Sequence, residues 1–90
     1  MMLSEWAKIY AQRLRNGEWD ANDVLADIET LTYTWNNRPI STQSKIEIIM
    51  DIKDELENTL QKGGDIQNHL ELVQYMLNRV RRGNDGGSKS

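Results

Sequence analysis

The sequence predicts an all-α domain, a small antiparallel four-helix bundle. Three observations point there. Apolar residues recur at three- and four-residue spacing in four segments. Turn signals, Asn16-Gly17, Asn36-Asn37 and Gly63-Gly64, separate those segments. Ninety residues suit a single domain, one that buries only about 60–65% of its unfolded surface.

The first helix is expected from about Ser4 to Arg15. Ser4 can cap its start, and Asn16-Gly17 supplies a stop. Leu3, Ala7, Tyr10 and Leu14 fall on one stripe, with Trp6 beside it. The second helix has the clearest start. Asp20 can accept from first-turn amides, and Asp23 stands at the capping-box position. Trp19 precedes the cap, with Val24 at the staple position. Val24, Leu25, Ile28, Leu31 and Trp35 then share a face, and Asn36-Asn37 ends the helix ahead of Pro39.

The third helix begins near Ser41 or Thr42 and runs to about Lys62, with Ile46, Ile49, Ile52, Leu56 and Leu60 as its stripe. Gly63-Gly64 breaks it. The fourth starts at Asp65 and continues to about Arg82. Ile66, His69, Leu70, Val73, Met76, Leu77 and Val80 make its inner face. Residues 1–82 thus form the helical domain, and 83–90, rich in Gly, Ser, Asn and Asp, read as a disordered tail. Short connections favour antiparallel neighbours. Because the helices are unequal, a three-helix core with one extra packed helix is the alternative arrangement.

Composition removes several functions. The chain lacks cysteine, which excludes disulfides and thiolate zinc sites. There is no run of about 18 apolar residues to span a membrane, and the N-terminus lacks the continuous apolar stretch of a signal peptide. A cytoplasmic protein with no membrane partner is expected. The net charge of −3 has the wrong sign for general nucleic-acid binding. Arg13, Arg15, Arg79, Arg81 and Arg82 sit in last helical turns, where cations favour the carbonyl end of the dipole. A nucleic-acid partner is therefore not expected.

Catalytic arrangements are missing as well. His69 stands alone, without a Glu-x-x-His pair or a His-Glu-x-x-His motif. Gly63-Gly64 is no phosphate loop. The serines lie at the chain ends and at the start of the third helix, where capping explains Ser41 or Ser44. No enzyme, metal or cofactor is expected. A ligand-binding or enzymatic bundle would instead need a pocket beside His69 with at least two convergent polar groups.

The sharper clue is surplus apolar surface. At about 100° per residue, Tyr33 and Tyr75 lie about 140–150° from the centres of their helices' stripes. Ile9, Ile48, Met50 and Leu72 lie about 90–110° off theirs. They either widen the buried faces, with the third helix central between two neighbours, or form a contact surface. Glu47, Asp51, Asp54 and Glu55 line one side of the third helix and would rim such a surface.

The first third of the chain also carries a family likeness. Trp6, Ala11, Leu14, Arg15 and Gly17, then Trp19-Asp20, then Leu25-Ala26-Asp27-Ile28-Glu29 and Leu31, resemble a bacterial family known only as domain-of-unknown-function family 29. Its members show a similar Trp, an Ala-x-x-Leu-Arg-x-Gly segment and an acidic helix. The stretch after Gly17 is shorter here, and the second half keeps only a general helical character. The resemblance implies an all-helical fold and a bacterial or phage origin; it implies no activity and no site residues.

These readings converge on a non-catalytic protein–protein interaction module. Its expected contact residues are Tyr33, Ile48, Met50, Asp51, Asp54, Glu55, Leu72 and Tyr75. The partner is a protein or a second copy, since a symmetric dimer needs only one surface. An alternative is a small inhibitor or immunity-type protein that meets a larger basic target through the acidic helix face.

Overall fold

The computed structural model describes residues 3–33, 35–59 and 66–89, with side chains for 5–33, 35–59 and 66–82. It is the all-α fold that the periodicity predicts. Four helices follow in order: α1 (Leu3–Arg15), α2 (Ala21–Glu29), α3 (Thr42–Thr59) and α4 (Ile66–Lys89). The long α3 packs against both α1 and α4, and the short α2 packs on α4. The smallest dimension is 19 Å, about two helix diameters, so the bundle is two layers thick.

Local signals set the first two helix ends. Gly17 takes a left-handed φ of 76°. This lets the Glu18 N–H reach the Arg13 carbonyl at 2.9 Å and the Gly17 N–H reach the Leu14 carbonyl at 3.2 Å. That pair of bonds is a Schellman motif, which satisfies carbonyls the helix end would leave open. A Cβ at Gly17 would meet nothing within 4 Å. Gly17→Ala therefore isolates the backbone strain, and should lower stability by about 1–2 kcal/mol. Urea unfolding of the two proteins checks it; equal midpoints would mean that the turn relaxes at no cost.

α2 opens with the expected capping box. The Asp23 N–H donates to Asp20 Oδ1 at 2.8 Å, and the Asp20 N–H donates to Asp23 Oδ2 at 3.1 Å. Its far end differs from expectation. The helix stops at Glu29 instead of running to Trp35, and Thr30 Oγ1 donates to the Asp27 carbonyl at 2.7 Å.

Residues 31–33 and 35–40 then form the arms of a narrow hairpin, joined among the described residues by one antiparallel bridge, Thr32 to Pro39. Its bonds run from Ile40 N–H to the Leu31 carbonyl (3.2 Å) and from Tyr33 N–H to the Arg38 carbonyl (2.9 Å). Asn37 makes the reversal at φ 57°, a conformation asparagine tolerates well. Asn36 Oδ1 accepts from the Arg38 N–H at 2.9 Å. The physical reason is the run Thr-Leu-Thr-Tyr-Thr-Trp at 30–35. It alternates β-branched polar and large apolar residues at period two, which suits an extended ribbon better than a helix.

Ser41 caps α3: the Ser44 N–H donates to its Oγ at 3.1 Å, and the Lys45 N–H to its carbonyl at 3.0 Å. The expected Gly63-Gly64 break, Leu60 and the Asp65 start lie outside the described residues. α4 continues past Arg82 to Lys89, where the sequence predicts a tail. Glycine raises the free energy of a helix interior by about 1 kcal/mol relative to alanine but does not forbid it. No proline follows Pro39 to remove a donor.

The core joins all four helices and the hairpin. α1 contributes Ala7, Tyr10, Ala11 and Leu14, α2 Ala21, Val24, Leu25 and Ile28, and the hairpin Ile40. α3 contributes Ile48, Ile49, Ile52 and Leu56, and α4 Val73, Met76, Leu77 and Val80. Tyr10 anchors the α1–α2 side. Its ring stacks between Trp6 (centroids 5.8 Å) and Trp19 (6.1 Å), and its hydroxyl donates to Asp27 Oδ2. The Arg13 guanidinium lies 4.5 Å over the Trp19 ring.

Candidate functional site

The eight residues expected at the surface divide sharply. Ile48 is buried at 1% exposure, so it belongs to the core and not to any contact face. α3 lies between α1 and α4, and its buried arc is wide enough to take both Ile48 and Ile49. Leu72 and Tyr33 are half-buried and pack against the core. Met50 and Tyr75 are exposed, at 40% and 37%. Asp54 is exposed, while Asp51 and Glu55 are half-buried.

Tyr75 has a second role. Its hydroxyl donates to Asn22 Oδ1 at 2.8 Å and accepts from Arg79 at 2.9 Å. It therefore bridges α4 to α2 and is part of how the short helix is held. A shallow groove of about 670 Å³ lies beside this bridge, lined by Asp20, Asn22, His69, Glu71, Leu72 and Tyr75 among others. It brings polar groups together next to His69, as a ligand-binding bundle requires. Two of them serve the fold already: Asp20 caps α2, and Asn22 holds Tyr75.

Trp35 departs from expectation in the opposite sense to Ile48. Expected on the inner face of the second helix, it stands 75% exposed near the hairpin tip. Its ring stacks on Tyr33, centroids 4.4 Å apart and 20° from parallel. Tyr33 is fixed from below. Its hydroxyl lies 3.1 Å from Ser41 Oγ and 2.9 Å from Ser44 Oγ, and accepts from the Ser41 N–H at 3.0 Å. These bonds, the Ser41 side chain first, hold its phenol below the ordinary tyrosine range. The hairpin is thus bolted to the first turn of α3, and one face of an indole is held outward on a fixed base. The period-two run at 30–35 was the signal that could have revealed it.

This platform adjoins the outer face of α3. Ser44 lies one turn before Glu47. Glu47, Met50, Asp51 and Asp54 follow at spacings of three, four and seven residues and share one strip. Among the described residues the ion pairs are Lys45 with Glu29 (2.7 Å) and Lys53 with Glu57 (3.7 Å). The strip's three carboxylates take part in neither. Among the described residues no cluster of His, Asp and Glu could hold a metal ion, and no helix is long and apolar enough to cross a membrane. No family model, curated protein or solved structure matches the chain.

Proposed function

We propose that this protein is a non-catalytic interaction module whose contact surface is the Tyr33–Trp35 platform together with the outer face of α3. One observation carries the reading: a tryptophan three-quarters exposed and stacked on an anchored tyrosine. Tryptophan and tyrosine are the side chains most enriched among energetic anchors of protein interfaces. A rigid ring loses little conformational freedom on contact, so fixing it in advance lowers the cost of binding. Met50 extends the apolar part of the surface, and Asp51 and Asp54 rim it. The bacterial or phage setting implied by the family likeness suits a small adaptor of this kind.

Trp35→Ala is the test. The ring touches solvent on most of its surface, so stability should fall by no more than about 1.5 kcal/mol, the upper worth of its stack on Tyr33. Proteins retained from a lysate by the immobilised parent chain should be lost by the variant, and any self-association seen by light scattering should fall with them. Identical retention by both chains, with identical solution mass, rejects the reading.

The groove beside His69 supports a second reading, in which α2 and α4 take a ligand. His69→Ala separates the two. If the platform is the contact site, retention by this variant equals that of the parent; loss of retention moves the site to the groove.

A further inference from the structure

We infer that the partner meets this surface with a basic segment, its Arg or Lys side chains set against Glu47, Asp51 and Asp54 and one cation placed over the Trp35 ring. The inference rests on the interaction reading above and adds the chemistry of the occupant. Its first support is charge. The three carboxylates surround the exposed Met50 on two turns of one helix, a strip about 10 Å long. The nearest lysines of α3 are engaged elsewhere, Lys45 by Glu29 of α2 and Lys53 by Glu57.

Its second support is adjacency. Tyr33 bonds Ser44, so the aromatic pair begins one turn from Glu47. Cations are attracted to the face of an indole, the strongest of the aromatic acceptors. α1 already shows the contact in this chain, with Arg13 over Trp19. Trp35 presents the same ring with its outer face open, stacked on a tyrosine that bonds Ser44, one turn before Glu47.

The same charges argue against a second copy as occupant. A two-fold axis through the strip would set Glu47, Asp51 and Asp54 of one chain against the same acids of the other. Like charges placed face to face oppose association, and the whole chain carries net charge −3. An interface this small is expected to be weak and strongly dependent on salt.

The experiment titrates the 15N-labelled full chain with two synthetic amphipathic peptides of equal length, one carrying Lys and Arg, the other Glu at the same positions. The basic peptide should shift the amides of 47–54 and the Trp35 indole N–H. Its affinity should fall at least tenfold between 50 and 500 mM salt, and at least tenfold in the triple variant Glu47→Lys, Asp51→Lys, Asp54→Lys. Glu18→Lys, an exposed acid in the turn between α1 and α2 and outside the strip, should bind as the parent does. Equal binding of both peptides, shifts elsewhere on the chain, or an unaffected triple variant each overturn the inference. If Trp35→Ala loses its lysate partners while the basic peptide leaves the strip unshifted, the contact reading stands and the basic occupant falls. If the basic peptide binds the strip while parent and Trp35→Ala retain the same proteins, the basic occupant stands and the tryptophan anchor falls.

Discussion

Ile52→Ala should destabilise the fold by about 2–5 kcal/mol, the usual cost of cutting a buried aliphatic side chain to alanine. Ile52 is wholly buried in α3, which packs against both α1 and α4. Helices on two sides hold the walls of the space apart. Domains of this size hold about 0.05–0.15 kcal/mol per residue in all, so the change removes a large part of the total. At about 4–8 °C per kcal/mol for a small domain, the melting temperature should drop by about 8–40 °C. Met50→Ala, two residues away on the same helix, should change stability by no more than about 0.5 kcal/mol, because Met50 faces out at 40% exposure. Thermal unfolding of the pair decides it. Comparable losses in both would mean that α3 does not turn Ile52 inward and Met50 outward.

The second large effect concerns alkaline pH. Burial pushes the Tyr10 phenol far above its ordinary value, and the hydrogen bond and charge of Asp27 push it further; Arg13 pulls weakly the other way. The folded state therefore favours the neutral phenol. A group whose pKa is higher folded than unfolded stabilises fully below the unfolded value, here 10.0, and loses that contribution as pH climbs above it. The slope approaches about 1.4 kcal/mol per pH unit once the unfolded tyrosine ionises. In Tyr10→Phe this loss should vanish. The variant should also start lower at pH 7, by about 1–3 kcal/mol, because the half-buried Asp27 loses its donor. Urea unfolding from pH 7 to 11.5 measures both. Parallel curves for parent and variant would show that Tyr10 is not the residue responsible.

What could be read from the residues depended on how far the cause of each feature lay along the chain. The Asp20–Asp23 box and the Asn16-Gly17 stop are decided within a few positions, and the structure has both. The stripes of α1, α3 and α4 also emerge, because helical periodicity sorts inside from outside for a helix with one buried face. Ile48 escaped that rule. Its burial depends on α3 having neighbours on two sides, a property of the assembled bundle rather than of the segment. Trp35 escaped for a different reason. Leu31 and Trp35 are four apart, so they fit a helical stripe as well as an alternating ribbon, and only the three threonines between and before them told the two apart. The candidate site was therefore half visible: the acids and Met50 by spacing, the indole only once the hairpin existed.

The hairpin also settles what can grow on its flank. Thr32 and Pro39 face each other across the ribbon with their outer backbone groups turned away from the pair. On one side that outward group would be an amide, and proline has none. A third strand seeking to extend the ribbon there finds no donor, so copies of this chain cannot zip together into a continuous sheet along that edge. The protein can hold an oily ring out in water while one edge of the element that carries it offers no donor to a third strand at Pro39.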